Sequence, residues 1–193
     1  MNLICWNCRG LGAPRAVHET TKMVRKYNPQ VLFLSETKKK STEMEWLRSR
    51  WRFDNCLAVD CVGRGGGLAL LWMNEALVEV LSFSLQHIDA SMGGSNCANM
   101  WRFTGFYRSP EVSQRNRTWD MLRQLKSKSS LPWLCAGDFN EILADNEKVG
   151  GGLRPTRQME SFRQVIFDCN FLEVPFFRAK VHMDSWTRFK FDP

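Results

Sequence analysis

Histidine and tyrosine are scarce in this chain, with three and two among 193 residues. His18, His87 and His182 are too few and too scattered for a histidine-rich zinc centre. No second CxxC follows Cys5 and Cys8, so a cysteine zinc centre or a redox pair is also a poor fit. Apolar runs are short, and none approaches the roughly 20 residues of a transmembrane helix. The opening Met1-Asn2-Leu3-Ile4-Cys5 reaches polar Asn7 too soon for a secretory core. Seven cysteines, an odd number, lie within apolar stretches, which suits reduced thiols serving as small core residues. The expectation is an intracellular protein, nuclear or cytoplasmic and not secreted, with no membrane partner.

What is present points to a folded domain with a polyanionic partner. Hydrophobic residues make up 44% and aromatics 12% of a 22.4 kDa chain, a globular composition long enough for one substantial core. The net charge is +7, and part of it is clustered. Lys38-Lys39-Lys40 with Arg48, Arg50 and Arg52 forms one basic segment. Arg108, Arg115, Arg117, Arg123, Lys126 and Lys128 form another. Solvated helix faces explain such segments as readily as a nucleic-acid footprint does.

Residues 2–7 and 31–35 read as buried strands. Pro14 opens an amphipathic helix with Val17, Thr21, Val24 and Tyr27 on one face, closed by Asn28-Pro29. Ser41-Thr42-Glu43 is a capping sequence for a second helix burying Met44, Leu47 and Trp51. Cys56 to Val59, Leu68 to Met73, Leu77 to Phe83 and Met100 to Tyr107 then read as consecutive strands. Asn116 to Lys126 is a helix with Trp119, Leu122 and Leu125 inward, followed by a strand from Trp133 to Ala136. Pro155 begins a last helix, with Met159, Phe162, Val165, Ile166 and Cys169 inward. Gly63 to Gly67 lacks the ending of a P-loop and precedes a strand, so a tight turn is the expectation. Gly150-Gly151-Gly152 reads as a loop. From Glu173 onward no clean period is visible. This order predicts an α/β fold with two mixed β-sheets packed face to face and helices outside.

Five polar residues fall at or just past predicted strand ends: Asn7, Glu36, Tyr107, Asp138 and Asn140. Each alone has an ordinary reading as a turn, cap or edge residue. Jointly they can converge on one rim of a sandwich. A carboxylate beside a neutral amide suits a site that orients a water while hydrogen-bonding a phosphate.

The segments that carry these residues resemble a known family. Trp6-Asn7-Cys8-Arg9-Gly10-Leu11-Gly12, Leu34-Ser35-Glu36-Thr37-Lys38, Gly66-Gly67-Leu68-Ala69, Gly105-Phe106-Tyr107 and Gly137-Asp138-Phe139-Asn140-Glu141-Ile142-Leu143 look like the motif series of the endonuclease/exonuclease/phosphatase family. The wording is most similar to the endonuclease domain of plant non-LTR (LINE-type) retrotransposon polyproteins, and the likeness runs from Leu3 to about Leu172. The resemblance implies a four-layered α/β sandwich and Mg²⁺-dependent cleavage of phosphate esters, with Mn²⁺ as an alternative cation and DNA as the partner. It implies that Glu36 and Asn7 hold the metal and its surroundings. Tyr107 would bond the scissile phosphate, Asp138 would handle the proton of the attacking water, and Asn140 would orient that group and contact phosphate.

The likeness has limits. The family's closing Ser-Asp-His is absent from the 193 residues, and His182-Met183-Asp184 has the residue types in the wrong order. Arg9 stands where some branches of the family carry a carboxylate. Residues 1–172 are therefore expected to form the domain, incomplete at the C-terminus, and 173–193 a divergent tail. The expected function is a DNA-nicking Mg²⁺ phosphodiesterase impaired by truncation. The alternatives are a catalytically inactive retroelement remnant that binds nucleic acid weakly, and a phosphatase of small phosphorylated substrates.

Overall fold

Val31–Ser35, strand β2, is buried at all five positions, which requires cover on both of its faces. Val31 and Phe33 belong to a core between two sheets, while Leu32 and Leu34 belong to a core beneath helices. The computed structural model describes residues 1–63, 65–94, 99–108, 115–147, 154–173 and 188–192. Beside β2 lie β1 (Leu3–Asn7), β3 (Asn55–Val59) and β4 (Leu68–Trp72), in the order β1-β2-β4-β3. β1 and β2 are parallel; the other pairs are antiparallel. The second sheet has six strands: β5 (Glu79–Phe83), β6 (His87–Met92), β7 (Trp101–Tyr107), β8 (Trp133–Asp138), β9 (Leu172–Glu173) and β10 (Arg188–Asp192). Its order is β5-β6-β7-β8-β10-β9, with β7 and β8 parallel and the rest antiparallel.

Both sheets are thus mixed, and helices cover their outer faces. Helices α1 (Pro14–Tyr27) and α2 (Ser41–Trp51) press Met23, Val24, Met44, Leu47 and Trp51 onto Leu32, Leu34, Ala69 and Leu71. Helices α3 (Arg115–Lys126) and α4 (Thr156–Asp168) set Trp119, Leu122, Leu125, Phe162 and Val165 against Phe106, Trp133 and Cys135. Phe33, Leu70, Ile88, Ala90 and Phe103 fill the space between the sheets. Each buried Leu, Ile or Phe among these stabilises the fold by roughly 1.5–3 kcal/mol relative to exposure. The result is the expected four-layered α/β sandwich. Among the described residues no helix is long and apolar enough to cross a membrane.

Several local expectations change. Strand β6 has no counterpart in the sequence reading, because His87, Asp89 and Ser91 interrupt its apolar pattern. All three are buried and sit in a strand buried throughout. Asp89 accepts a two-pronged ion pair from Arg102, at 2.8 Å on both oxygens, and a 2.6 Å bond from the Thr104 hydroxyl. Arg102 also donates to the Leu125 carbonyl at 2.6 Å, tying the end of α3 to the sheet. Helix α2 starts at Ser41, so Lys40 is the capping position, and Glu43 accepts its backbone N–H at 3.0 Å. Tyr27, expected inward on α1, is exposed at the helix end.

The second basic segment is not a uniform charged face. Arg108 is fully buried, paired with Glu141 at 2.9 Å and stacked 4.5 Å from the Trp119 ring. Arg123 is paired with Asp120 and Asp168. The region after Glu173 contains β10 despite the lack of an evident period. Its Arg-Phe-Lys-Phe-Asp alternates as a strand should, but over only five residues, too few to stand out. Gly150 to Gly152, the 174–187 stretch with His182-Met183-Asp184, and Cys97 lie outside the described residues.

Candidate active site

The strands β1 and β2 in one sheet, and β7 and β8 in the other, run parallel within each pair and end at the same rim. Their terminal residues are Asn7, Ser35, Tyr107 and Asp138. Asn7, 4% exposed, sits at the centre. Its amide nitrogen donates to Glu36 Oε1 at 3.0 Å and to Asp138 Oδ2 at 2.8 Å. Its oxygen accepts the Arg9 backbone N–H at 3.0 Å. An amide has two N–H donors, and here one goes to each carboxylate. A third acid at this position would have repelled both.

The turns that follow these strands are sharply wound. Arg9, Glu36, Lys38 and Asn140 all have positive φ, at 49°, 53°, 51° and 47°. Non-glycine residues in this region are uncommon and gather at functional sites. The loops are locked to one another by backbone bonds, Leu11 N–H to the Thr37 carbonyl at 2.9 Å and Thr37 N–H to the Gly67 carbonyl at 3.0 Å. Gly67, at φ 85°, lies so close that a Cβ there would collide with the Thr37 hydroxyl. The glycine-rich turn therefore has a packing role at the site. Gly137 likewise lies against the Phe106 backbone where no side chain would fit, and this brings Asp138 alongside Tyr107.

Asp138 accepts the Asn140 backbone N–H at 2.9 Å on its second oxygen. Burial nevertheless raises its pKa above the ordinary carboxylate value, and the nearby Glu36 charge pushes the same way. The bonds from Asn140 and Asn7 and the Arg9 charge oppose the rise without cancelling it. Burial also raises the Tyr107 phenol, reinforced by Glu36 and Asp138, and its hydroxyl hydrogen-bonds Glu36. A phenol in this state stays protonated and donates. Asn140 uses its side-chain nitrogen to hold the Arg108 carbonyl at 2.6 Å.

All five residues singled out in the sequence thus meet in one hydrogen-bonded group. Missing from that reading were the supports behind it. Glu141, buried, is gripped by Arg108 at 2.9 Å and by Arg154 at 2.9 Å. The Asn140 carbonyl accepts from Arg154 at 3.3 Å. Arg108 and Glu141 immediately follow Tyr107 and Asn140, so adjacency to the candidate residues was the available signal. Among the described residues, no group of three or more histidine, cysteine, aspartate or glutamate side chains converges as a ready metal cage.

The model of the Endonuclease/Exonuclease/phosphatase family matches residues 4–177, nearly the whole chain. The chain belongs to this family. Solved structures agree on the fold. An AP endonuclease from Leishmania major superposes with a TM-score of 0.71 at 15% identity, covering 98% of this chain and 78% of that one. The human Nocturnin catalytic domain gives 0.65 at 11%, covering 98% and 81%. A 3′ phosphatase from Neisseria, solved with a product DNA hairpin, gives 0.63 at 14%, covering 89% and 72%. No curated protein matches the sequence.

Proposed function

We propose that this domain is a Mg²⁺-dependent phosphodiesterase that nicks DNA, of the type found in plant non-LTR (LINE-type) retrotransposon polyproteins. The observation that carries the reading is the Asn7 amide holding Glu36 and Asp138 within one hydrogen bond of a common point. Family membership and the DNA-bound relative support it, as does the +7 charge.

The donor set fits a hard cation. Mg²⁺ takes one or two carboxylates and keeps several waters rather than needing a closed cage, and two carboxylates are what this group offers. Glu36 would hold the ion, with Asn7 fixing the carboxylate and its surroundings; Mn²⁺ would fit the same oxygens. When bound, the ion supplies positive charge against the phosphate and the departing oxygen.

The remaining work belongs to neutral donors and one base. Asn140, which spends one amide N–H on the Arg108 carbonyl, and the Tyr107 hydroxyl, once it turns from Glu36, would donate to phosphate oxygens without adding negative charge beside them, while Asn7 holds the two carboxylates in place. Asp138 takes the proton of the attacking water. Its pKa, raised chiefly by burial, makes it a stronger base than an ordinary aspartate. That no ready metal cage converges among the described residues favours a second reading, a binding module that retains DNA without cutting it.

Plasmid nicking separates the two. Supercoiled DNA with Mg²⁺ should be relaxed by the purified protein. Glu36→Ala or Asp138→Asn should each reduce the rate by at least about 100-fold. Nicking that survives Glu36→Ala unchanged overturns the site; binding with no nicking establishes the module.

A further inference from the structure

The rim that holds the site carries two cations that the groups described above leave unused. Arg9 follows β1 and Lys38 follows β2, both exposed and both in left-handed turns. Within the Lys38-Lys39-Lys40 run, Lys39 pairs with Glu43 at 2.6 Å and Lys40 with Asp60 at 3.7 Å. Lys38 has no ion pair among the described residues, and neither has Arg9. Their placement is not accidental to the loops. The Lys38 stem crosses Gly10, its Cδ 3.0 Å from where a Cβ at Gly10 would stand. The Arg9 backbone is bonded to the Asn7 side chain. The two charges are therefore fastened to the same pair of turns that hold Asn7 and Glu36.

Two cations on neighbouring turns, neither with an ion-pair partner among the described residues, are free to take an anion that approaches this rim. Arg9 is close enough to Asp138 for its charge to be felt there, yet Asp138 spends both oxygens on Asn7 and Asn140. From this geometry, and resting on the nuclease reading above, we infer that Arg9 and Lys38 form a cationic lip that grips the nucleic-acid phosphate adjoining the one that is cut. Lys38 serves as a point charge, and Arg9 offers a planar fork for two phosphate oxygens. Both act in binding rather than in proton transfer.

The test is DNA binding by the full chain in chelator, where nothing is cut. A short duplex is titrated across a series of salt concentrations. Each phosphate contact contributes about 0.9 to the slope of log K against log salt. Arg9→Asn and Lys38→Asn remove the charges while keeping a residue that tolerates positive φ, and a thermal melt confirms folding. Each should lower the slope by about 0.9, and the double variant by about 1.8. Arg9→Lys should retain the slope and lose part of the affinity. Lys22→Gln, on α1 and paired with Glu19, removes one charge elsewhere and should leave the slope alone.

Unchanged slopes in both asparagine variants overturn the lip, and so does an equal fall in Lys22→Gln, which would reduce the effect to net charge. If the wild type nicks DNA but the slopes do not move, the nuclease reading stands and the lip falls. If it neither nicks nor binds DNA, both fall.

Discussion

Asn7 and Asp138, 131 positions apart and at the ends of strands in different sheets, are joined by a 2.8 Å hydrogen bond. The contact spans the two halves of the sandwich at their common rim. Its partner bond to Glu36 lies within the first sheet's own loop. One amide therefore fixes how the two sheets are aligned at the place where the chemistry is proposed.

Replacing that amide with an acid tests its role directly. Asn7→Asp removes both donors and places a third negative charge between Glu36 and Asp138. In chelator the variant should lose roughly 2–3 kcal/mol, a fall of about 5–10 °C in Tm for a chain of this size. Mg²⁺ should recover more of that loss than it adds to the wild type, because the extra carboxylate favours the cation. An unchanged melting point in chelator would show that the amide does not bridge the sheets.

Asp138 trades stability for function. Its folded-state pKa is raised, chiefly by burial. A carboxyl of this kind contributes stability below its unfolded value, near 3.9, and loses that contribution as pH rises through the folded value. At neutral pH, above the unfolded value, the raised pKa is a net cost in the metal-free protein. Asp138→Asn should thus be more stable than the wild type in chelator at pH 7, by on the order of 1 kcal/mol, while nicking is abolished. A less stable variant would mean that the acceptor bonds outweigh the burial.

Much of this was legible because the site is built from strand ends. Apolar runs mark the strands, and the polar residues at the C-terminal ends of the parallel pairs β1/β2 and β7/β8 land on the same rim. Asn7, Glu36 and Asp138 could be read in this way from their neighbours alone. Strand β6 could not, since its polar residues are satisfied by Arg102, Thr104, Ser82 and Ser84, partners that are distant or local in ways no period records. The same reason hid Arg108: a lone arginine in a basic stretch reads as surface until Glu141 and Trp119 are seen around it. Pairing geometry is long-range information, and composition does not carry it.

His87 gives the fold a dependence on acid. Its ring is bonded to the Ser82 and Ser84 hydroxyls at 3.1 and 2.8 Å. Burial lowers its pKa; Lys128 and Arg102 push the same way, and Asp89 opposes them. A histidine held neutral in this way supports the fold above its unfolded pKa of about 6.5, and that support is lost as pH falls through the folded value. The midpoint of urea unfolding should therefore drop between pH 7.5 and pH 5. In His87→Gln that part of the drop should vanish. An identical pH profile in the variant would assign the sensitivity elsewhere.

Glu141 should matter to the site without touching substrate. Its carboxylate sits between Arg108 and Arg154, and Arg108 in turn gives its carbonyl to the Asn140 side chain. Glu141→Gln removes the charge both arginines face, a loss of roughly 3–5 kcal/mol for a buried pair. Asp89→Asn makes a matched comparison, because it breaks the buried pair with Arg102 at the other end of the same sheet. Arg102 aligns with Trp133 and Tyr107 with Asp138, five residues along, or about 16 Å. Both variants should unfold more easily. At a temperature where both remain folded, only Glu141→Gln should slow nicking, through a lower kcat with little change in KM, since Asn140 loses its fixed position. Equal losses of rate in the two variants would show that general stability, and not the Arg108–Asn140 link, is what the carboxylate supplies.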